Sequence, residues 1–310
     1  MRPTALDSHH PDESLRAIIA EQLRTNPLNR LTRLDGRPIF EHSLVGVADG
    51  DDPLFAEYKT IIGAFHLTPR EVLARELAAS PGAADASLDT IRVIGWILPI
   101  AEATRAGNRA QREVPTIAWA HTRTYGERFN DALRRHVVAV LRAAGYAAVA
   151  PAIEPYFRIL SEGPAQPPAS VWSERHVMYA AGLGSFGLSD GLITPRGMAM
   201  RCGSVVTNLP LAVTPRTCTS HTADCLYLAE GTCAACAARC PAGAITREGG
   251  HDKAKCQAYS YGRLRPLVAT YGLEGEPGAA VGCGLCQTGV PCEAGIPAQG
   301  RRSAGAQATP

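Results

Sequence analysis

The arrangement of apolar residues predicts several helices in the first two thirds of the chain. One helical stripe lies between residues 14 and 23 and consists of Leu15, Ile18, Ile19 and Leu23. A longer helix is predicted over Tyr125–Ala144, where apolar side chains keep the helical period and Gly145 is the expected end. A shorter helix is expected from Ser173, a suitable N-cap, to about Ala181.

Short apolar runs between these helices are interpreted as strands. Ile91–Ile100 is rich in β-branched residues and predicts a buried strand, and Ala147–Ile153 and Gly203–Thr207 are further strand candidates. Asp52–Leu73 is interpreted as a loop followed by a helix that starts near Pro69. The order strand, helix, strand indicates an α/β layered domain.

Composition and charge limit the choice of partners. A formal net charge of +2 over 310 residues provides no broad field to attract nucleic acid or an anionic membrane, so we expect neither. The apolar runs are far too short to cross a bilayer. The first residues, MRPTALDSHHPDES, hold neither an apolar signal core nor a twin-arginine pair, so we do not expect export.

Cysteines carry the clearest chemical signal. Eight of the ten lie between residues 225 and 292: Cys225, Cys233, Cys236, Cys240, Cys256, Cys283, Cys286 and Cys292. The spacing Cys-x2-Cys-x3-Cys, followed at once by Pro241, is typical of loops that bind iron–sulfur clusters. Eight thiols are enough for two [4Fe–4S] clusters, so the chain is predicted to move electrons. Such thiols need a reducing compartment, which favours the cytoplasm.

The two-cluster ferredoxin pattern predicts which thiols act together. In those proteins the cysteine before the proline ligates the other cluster. One cluster would therefore take Cys225, Cys233, Cys236 and Cys292, and the other would take Cys240, Cys256, Cys283 and Cys286.

Two positions depart from that pattern. Glu230 stands where the first motif usually has its first cysteine, so Cys225 is expected to replace it, with Cys218 in reserve. The second motif ends in Cys292–Glu293 rather than Cys-Pro. Zinc is the alternative metal, since Cys-x2-Cys pairs also bind zinc. Cys202 and Cys218 are left without a role, because spare cysteines are most often small buried side chains.

A glycine-rich segment precedes the cysteines. Gly182, Gly184 and Gly187 form Gly-x-Gly-x-x-Gly, but the motif ends a predicted helix instead of opening one after a strand. A dinucleotide site is therefore rejected. These glycines are expected to let the backbone lie close to a flat ligand or to the cluster domain.

At this point the sequence resembles a known family. The string AAGLGSFGLSDGLITPRG, followed by GSVVTNLPL and the two-cluster segment, is similar to the epoxyqueuosine reductase and corrinoid reductive dehalogenase group. The similarity extends back through YGERFNDALRRHVVAVLRAAGYAAVAP and covers roughly residues 90–296.

The resemblance implies a fold, a domain order and an activity. It implies an α/β (α+β) fold, with a nitroreductase-like layered domain followed by a small, bacterial-ferredoxin-like double-cluster domain. The corresponding ranges are a helical and loop extension over 1–85, the α/β domain over 86–212, the cluster domain over 213–296 and a disordered tail over 297–310. The implied function is a cytoplasmic reductase in which two clusters reduce a cobalamin for chemistry on a small organic substrate. Its electrons would come from an external low-potential donor, a ferredoxin or flavodoxin.

The same resemblance assigns a corrin-lining set. It consists of Gly182, Gly184, Gly187, Asp190, Gly191, Ile193 and Thr194. The catalytic aspartate of epoxyqueuosine reductases has no counterpart, because the matching position falls in Pro167–Pro168–Ala169. Tyr125, Tyr156 and Glu174 are instead candidate proton donors, with Tyr179 and His176 behind them. Each could equally be an ordinary packed or structural side chain.

Two other functions remain open at the level of sequence. The chain could be an electron-transfer protein, for example a reductive activator of a separate corrinoid protein, with no substrate of its own. It could also keep the nitroreductase-like fold and bind flavin. Bound cobalt would distinguish the cobalamin enzyme from both alternatives, and bound flavin would identify the last one.

Overall fold

The computed structural model describes residues 5–79, 87–160, 168–218 and 220–298. The helices of its first part are α1 (Pro11–Thr25), α2 (Leu54–Ile61), α3 (Pro69–Ala79), α4 (Glu102–Arg109), α5 (Ile117–Ala143) and α6 (Glu174–Ala180). Short helices follow in the cysteine-rich part: α7 (Leu226–Glu230), α8 (Ala235–Ala238), α9 (Lys253–Gln257) and α10 (Leu267–Thr270). A π-helical turn spans Ala258–Arg263, and 3-10 turns span Pro151–Ile153 and Leu285–Gln287.

The strands form one larger sheet and three small pairs within the described residues. They are β1 (Leu44–Asp49), β2 (Arg92–Pro99), β3 (Ala148–Val149), β4 (Ile159–Leu160), β5 (Ala169–Ser170), β6 (Ser185–Phe186), β7 (Leu192–Ile193), β8 (Met200–Thr207), β9 (Ile245–Thr246) and β10 (Gly250–His251). The larger sheet is antiparallel, in the order β1-β2-β8-β3. The small pairs are β4 with β5, β6 with β7, and β9 with β10.

Helices cover both faces of the larger sheet. On one face, α1 and α5 pack against Ile94, Trp96 and Leu98 of β2. On the other face, α3 and α6 pack against the side of the sheet that carries Val93 and Ile97. Successive side chains of a strand point to opposite faces, so β2 contributes to both cores. The chain is therefore an α/β protein, as predicted, while the nitroreductase-like layering stays a prediction.

One edge of the sheet is closed by side chains. Strand β3 pairs with β8 only at Val206 and Thr207, so the rest of that edge of β8 has no strand beside it among the described residues. Asn130 and Arg134 of α5 donate hydrogen bonds to the carbonyl of Cys202, at 2.8 and 3.2 Å. These bonds satisfy a backbone acceptor that a longer β3 would have paired.

Several elements differ from the sequence prediction in extent. Helix α5 begins at Ile117, well before Tyr125, because the Thr116 side chain accepts a hydrogen bond from the Trp119 N–H and caps it. The strand expected over Ala147–Ile153 is limited to β3, because Pro151 starts a 3-10 turn. The helix predicted near Pro69 is α3, but α2 lies inside the segment expected to be a loop.

The predicted boundary near residue 85 does not separate two cores. Strand β1 pairs with β2 along its whole length, from Leu44 opposite Ile97 to Asp49 opposite Arg92. Helix α1 packs on α5, and its buried stripe belongs to the same core as the sheet. Residues 5–79 are thus part of the α/β unit rather than an extension to it. The division at 213 and the tail over 297–310 stay proposals, and residues 299–310 lie outside the described part.

The sequence predicts no segment that crosses a membrane, and the length and apolar character of the helices are the relevant structural features. Among the described residues, no helix combines the length and apolar character needed to cross a bilayer.

Candidate metal centre

Four cysteines converge on one apolar cavity. Cys225, Cys233, Cys236 and Cys292 all line it, and we call them the first quartet. Leu188, Ile193, Met198 and Val290 complete its wall. This is the set that the ferredoxin pattern grouped for one cluster, and it takes Cys225 rather than Cys218. Their role as ligands stays a proposal.

The loop of the first quartet is built from small residues. Ala234 lies between the two cysteines of the Cys-x2-Cys pair, and helix α8 starts directly after it. The N–H of Ala235 points at the Cys233 sulfur, at 3.4 Å. The N–H of Ala244 points in the same way at the Cys240 sulfur, at 3.3 Å. Backbone N–H groups directed at sulfur favour a thiolate, which is the form that binds iron.

The remaining four cysteines form a second group. Cys240, Cys256, Cys283 and Cys286 lie close enough that neighbouring sulfurs act on one another's charge, and we call them the second quartet. Burial, followed by the neighbouring sulfurs, raises the pKa of Cys283 to about 11, even though the Leu285 N–H favours the thiolate. The pKa of Cys286 is also raised, again chiefly by burial. Partly buried thiols whose thiolate forms would repel one another lose their protons when a metal binds.

Burial also dominates in the first quartet. It raises the pKa of Cys236 to about 11 and that of Cys292 to about 12, and nearby cysteines add to both shifts. A cluster would supply the positive charge that such thiolates need. Without a metal, four thiols around one cavity would stabilise the fold by little more than ordinary apolar packing.

A single zinc ion and an iron–sulfur cluster place different geometric requirements on four thiols. Zinc needs four ligands about 2.0–2.3 Å from one point. In the described residues, no group of three or more His, Cys, Asp or Glu side chains is arranged to hold one metal ion. The first quartet lines one apolar cavity, and the spacing Cys-x2-Cys-x3-Cys-Pro that begins at Cys233 is typical of loops that bind iron–sulfur clusters.

The second quartet is supported from two sides. Gly284, between Cys283 and Cys286, has φ of +64°, and a Cβ there would overlap the indole of Trp119 on α5. His251 Nδ1 donates a hydrogen bond to the Asp190 carboxylate at 3.1 Å, and the ring also hydrogen-bonds to Cys256. Those two bonds raise the pKa of His251 to about 9, and the pKa of Cys256 is lowered in return.

The two spare cysteines lie elsewhere. Cys202 is on β8, and burial raises its pKa to about 12, so it behaves as an inert side chain. Cys218 is half-buried, with its sulfur 3.7 Å from the Asp224 carboxylate. Asp224 also accepts a hydrogen bond from Ser185 at 2.7 Å. Neither spare thiol lines the cavity of the first quartet.

The glycine segment packs against the chain itself. A Cβ on Gly182 would lie 2.7 Å from the Pro215 carbonyl oxygen, and one on Gly184 would overlap the Ile193 carbonyl. A Cβ on Gly191 would overlap the Met198 methyl group. Of these three glycines, only Gly182 approaches the predicted cluster domain, at Pro215, whereas Gly184 and Gly191 pack against neighbouring residues of their own predicted domain.

The rest of the corrin-lining set faces the cysteines. Gly187 and Ile193 line the cavity of the first quartet, and Asp190 reaches the second quartet through His251. The Thr194 hydroxyl is buried and donates to the Gly197 carbonyl at 2.8 Å. These residues do not form an open cradle for a corrin. Their role as cofactor ligands stays a prediction.

The three candidate proton donors do not converge. Tyr125 packs between Arg33 and Arg128, whose guanidinium carbons lie 5.8 and 5.1 Å from its ring centre. Tyr156 lies near Arg75 on the side of the sheet covered by α3. Burial raises the pKa of both phenols.

Glu174 has partners of its own. Its carboxylate accepts hydrogen bonds from Arg134 at 3.0 Å and from the Ser204 hydroxyl at 2.6 Å. Burial raises its pKa, while Arg134 acts in the opposite direction. Arg134 is 3% exposed and also pairs with Glu127 and Asp131. Glu174 is therefore part of a buried ionic network at the edge of β8.

Sequence reasoning missed one group of residues beside the clusters. Arg105 and Arg109 of α4 pair with Glu293, directly after Cys292. Arg239, directly before Cys240, donates to the Leu285 carbonyl at 3.0 Å and to the Arg109 carbonyl at 3.2 Å. The signal was present in the sequence as the glutamate that replaces the expected proline.

Comparison with solved structures finds reductases of the two groups that the sequence resembles. A selenomethionine-labelled epoxyqueuosine reductase is 15% identical over 94% of this chain and 68% of its own, with a TM-score of 0.49. An epoxyqueuosine reductase in complex with an epoxyqueuosine-modified tRNA-Tyr stem loop is 15% identical over the same shares, with a TM-score of 0.47. A catabolic reductive dehalogenase in complex with 3-bromo-4-hydroxybenzoic acid is 16% identical over 66% of this chain, with a TM-score of 0.45.

This chain spans only 26% of the length of that dehalogenase. No protein-family model matches the sequence. No curated protein matches it either. The expectation that nucleic acid is not a partner stays a prediction. The predicted resemblance to epoxyqueuosine reductases and reductive dehalogenases is confirmed as structural similarity at low identity.

Proposed function

We propose that this protein is an iron–sulfur oxidoreductase that holds one [4Fe–4S] cluster in each cysteine quartet. The observation that carries the proposal is the convergence of Cys225, Cys233, Cys236 and Cys292 on one apolar cavity, with an amide N–H directed at the Cys233 sulfur. The second quartet supplies a further set of four half-buried thiols, and its Cys286 lies near Cys236 of the first. Thiolate ligands, small-residue loops and apolar walls are what such clusters require.

The two quartets provide a path for single electrons. Cys236 of the first quartet lies near Cys286 of the second, close enough for the two sulfurs to act on one another's charge. An external low-potential donor, a ferredoxin or flavodoxin, would reduce one cluster, and the electron would pass to the other. The protein positions the clusters and limits their exposure to water, which tunes their potentials.

We propose cobalamin as the group that the clusters reduce, on the strength of the sequence resemblance alone. When bound and reduced to Co(I), cobalamin supplies a strong nucleophile and reductant. The glycine segment does not offer it a cradle, because Gly182 and Gly184 are already in contact with the backbone of Pro215 and Ile193. On that resemblance, a cobalamin-dependent reductase acting on a small organic substrate is the first candidate.

A specific observation favours a second candidate. Tyr125, Tyr156 and Glu174 lie in three separate surroundings, and the Glu174 carboxylate forms an ion pair with Arg134. An electron-transfer protein or reductive activator needs no proton donor of its own. That function, with a separate corrinoid protein as the acceptor, agrees with the dispersed candidates.

The experiment that tests both candidates is an anaerobic reconstitution with iron and sulfide, followed by addition of cobalamin and gel filtration. About eight irons and one cobalt per chain would support the cobalamin reductase. About eight irons without cobalt or flavin would support the electron-transfer protein. Bound flavin would replace cobalamin as the cofactor. A protein that takes up no iron under these conditions would overturn the cluster proposal itself.

A further inference from the structure

Helix α4 of the α/β unit holds the last cysteine of the first quartet through an ionic clamp. Glu293 follows Cys292 directly, and its carboxylate is buried, with 6% of the side chain exposed. It accepts hydrogen bonds from Arg109 Nη2 at 2.6 Å and Arg109 Nε at 3.0 Å. Arg105 Nη1 lies 3.4 Å away and completes the pairing.

The clamp also fixes the turn that carries Cys292. The Glu293 carboxylate accepts the N–H of Gly289 at 2.6 Å, which closes the chain over residues 289–293. On the other side, the Cys292 carbonyl accepts the N–H of Met198 at 2.9 Å. A Cβ on Gly197 would overlap the Glu293 carbonyl, so the two segments are in direct contact.

Arg105 and Arg109 are themselves held in place. Arg105 donates to the Ile100 carbonyl at 2.9 Å, and both arginines pair with Glu102 at 2.7 and 3.0 Å. A buried carboxylate is costly unless it is paired and hydrogen-bonded, and here both conditions are met. Such a site specifies the position of a backbone turn more than it adds to overall stability.

We propose that Glu293 is a positioning residue for the first cluster, in the place where the usual motif has proline. Proline would fix the chain after the cysteine by its ring alone. Glu293 instead fixes it by tying the cysteine turn to α4. The inference rests on the proposed function, because it presupposes a cluster in the first quartet.

The test measures the release of iron from reconstituted full-length protein to a ferrous chelator. Each Glu293 variant is combined with one of two cysteine substitutions. Cys256→Ser disrupts the second quartet and leaves the first complete, whereas Cys233→Ser disrupts the first and leaves the second complete. Glu293→Ala removes the clamp, and Glu293→Gln keeps an acceptor for the Gly289 N–H. Glu248→Gln, at an exposed position of the cluster region, is the matched control.

In the background with the first quartet complete, Glu293→Ala should release iron about 10- to 100-fold faster than the parent, which is the usual effect of losing a supporting group around a metal ligand. Glu293→Gln should restore part of this retention, and Glu248→Gln should match the parent. In the background with the second quartet complete, Glu293→Ala should have little effect.

Two results would overturn the inference. Release from Glu293→Ala at the rate of the Glu248→Gln control would mean that the clamp does not position Cys292. Equal acceleration in both backgrounds would mean that Glu293 supports the fold in general. Failure of the unaltered protein to take up iron is a different result, which overturns the proposed function instead.

Discussion

At the scale of single residues, the cysteines divide by what surrounds their sulfurs. Cys233 lies beside an amide N–H in a cavity shared with three other thiols. Cys202 is about as well buried but sits on a strand, with no second cysteine packed on it in the described contacts. Burial alone therefore does not identify a ligand, whereas convergence with amide donors does.

This contrast gives a first prediction. Cys233→Ser should lower the iron content of reconstituted protein by about half, since one of two four-iron clusters loses a ligand. Cys202→Ser should retain the full content. Iron analysis with electron paramagnetic resonance of the reduced protein checks both variants. An unchanged Cys233→Ser spectrum, or a lost signal in Cys202→Ser, would show that the ligand set is wrong.

Gly184 illustrates a second effect at this scale. A methyl group there would overlap the Ile193 carbonyl, so Gly184→Ala should lower the free energy of unfolding by about 1–3 kcal/mol, the usual cost of overpacking. Gly262→Ala is the control, because no described atom lies within 4 Å of the place that its methyl group would take. Urea titration measures both. Equal stability of the two variants would contradict the packing role of Gly184.

At the scale of elements, the edge of β8 depends on a buried ionic network. Arg134 donates to Glu127, Asp131 and Glu174 and to the Cys202 carbonyl. Arg134→Met would leave Glu174 buried without its cation and should cost about 3–5 kcal/mol of unfolding free energy. The neighbouring Arg135 is exposed, so Arg135→Met should change stability little.

Adding Glu174→Gln to Arg134→Met provides the check on that mechanism. The double variant should recover part of the lost stability, because the uncompensated charge is gone. Urea titration measures the free energy of unfolding of the double variant and of each single variant. If the loss in the double variant equals the sum of the two single losses, Arg134 and Glu174 do not act as a pair.

The long periodic elements could be predicted from the sequence, and the short ones could not. Helix α5 and strand β2 bury enough apolar side chains for their periods to show. Strand β1 was missed because Gly46 and flanking polar residues interrupt its pattern, although it pairs fully with β2. Helix α4 was missed because its buried residues include Thr104 and Asn108, which are polar.

The candidate site shows the same division. The two-cluster ferredoxin pattern grouped the eight thiols into two sets; the structure places the first set around one cavity and the sulfurs of the second near one another, and the ligand assignment stays a prediction. The supporting side chains come from distant parts of the chain: Trp119 packs on Gly284, and Arg109 pairs with Glu293. Contacts of this kind form only in the folded chain, so no local sequence pattern predicts them.

At the scale of the whole molecule, stability should depend on pH through His66. This side chain is fully buried and stacks on Trp172, and burial lowers its pKa from 6.5 to about 4. The unfolded chain therefore binds a proton between these values that the folded chain does not. Stability should be complete above about pH 6.5 and should fall as the pH drops towards 4.

The size of this effect can be measured by difference. In the native protein, His66 Nε2 accepts a hydrogen bond from the Ser173 N–H at 3.1 Å. The substitution His66→Gln retains an acceptor for that N–H. Urea titration at pH 7 and pH 5 should show a smaller loss on acidification in the variant than in the parent, by on the order of 1–2 kcal/mol. An identical loss in both proteins would assign the acid sensitivity to other groups.

Each quartet combines cysteines from the beginning and the end of the cysteine-rich part, and this has a consequence for biosynthesis. The first quartet runs from Cys225 to Cys292 and the second from Cys240 to Cys286. Domains generally begin to fold from the N-terminal side while the chain is being synthesised. A nascent chain that has emerged only as far as α10 could complete neither site. Iron delivered at that stage would meet two incomplete sites, so the second cluster should be inserted only after synthesis has passed Cys286 and the first only after it has passed Cys292.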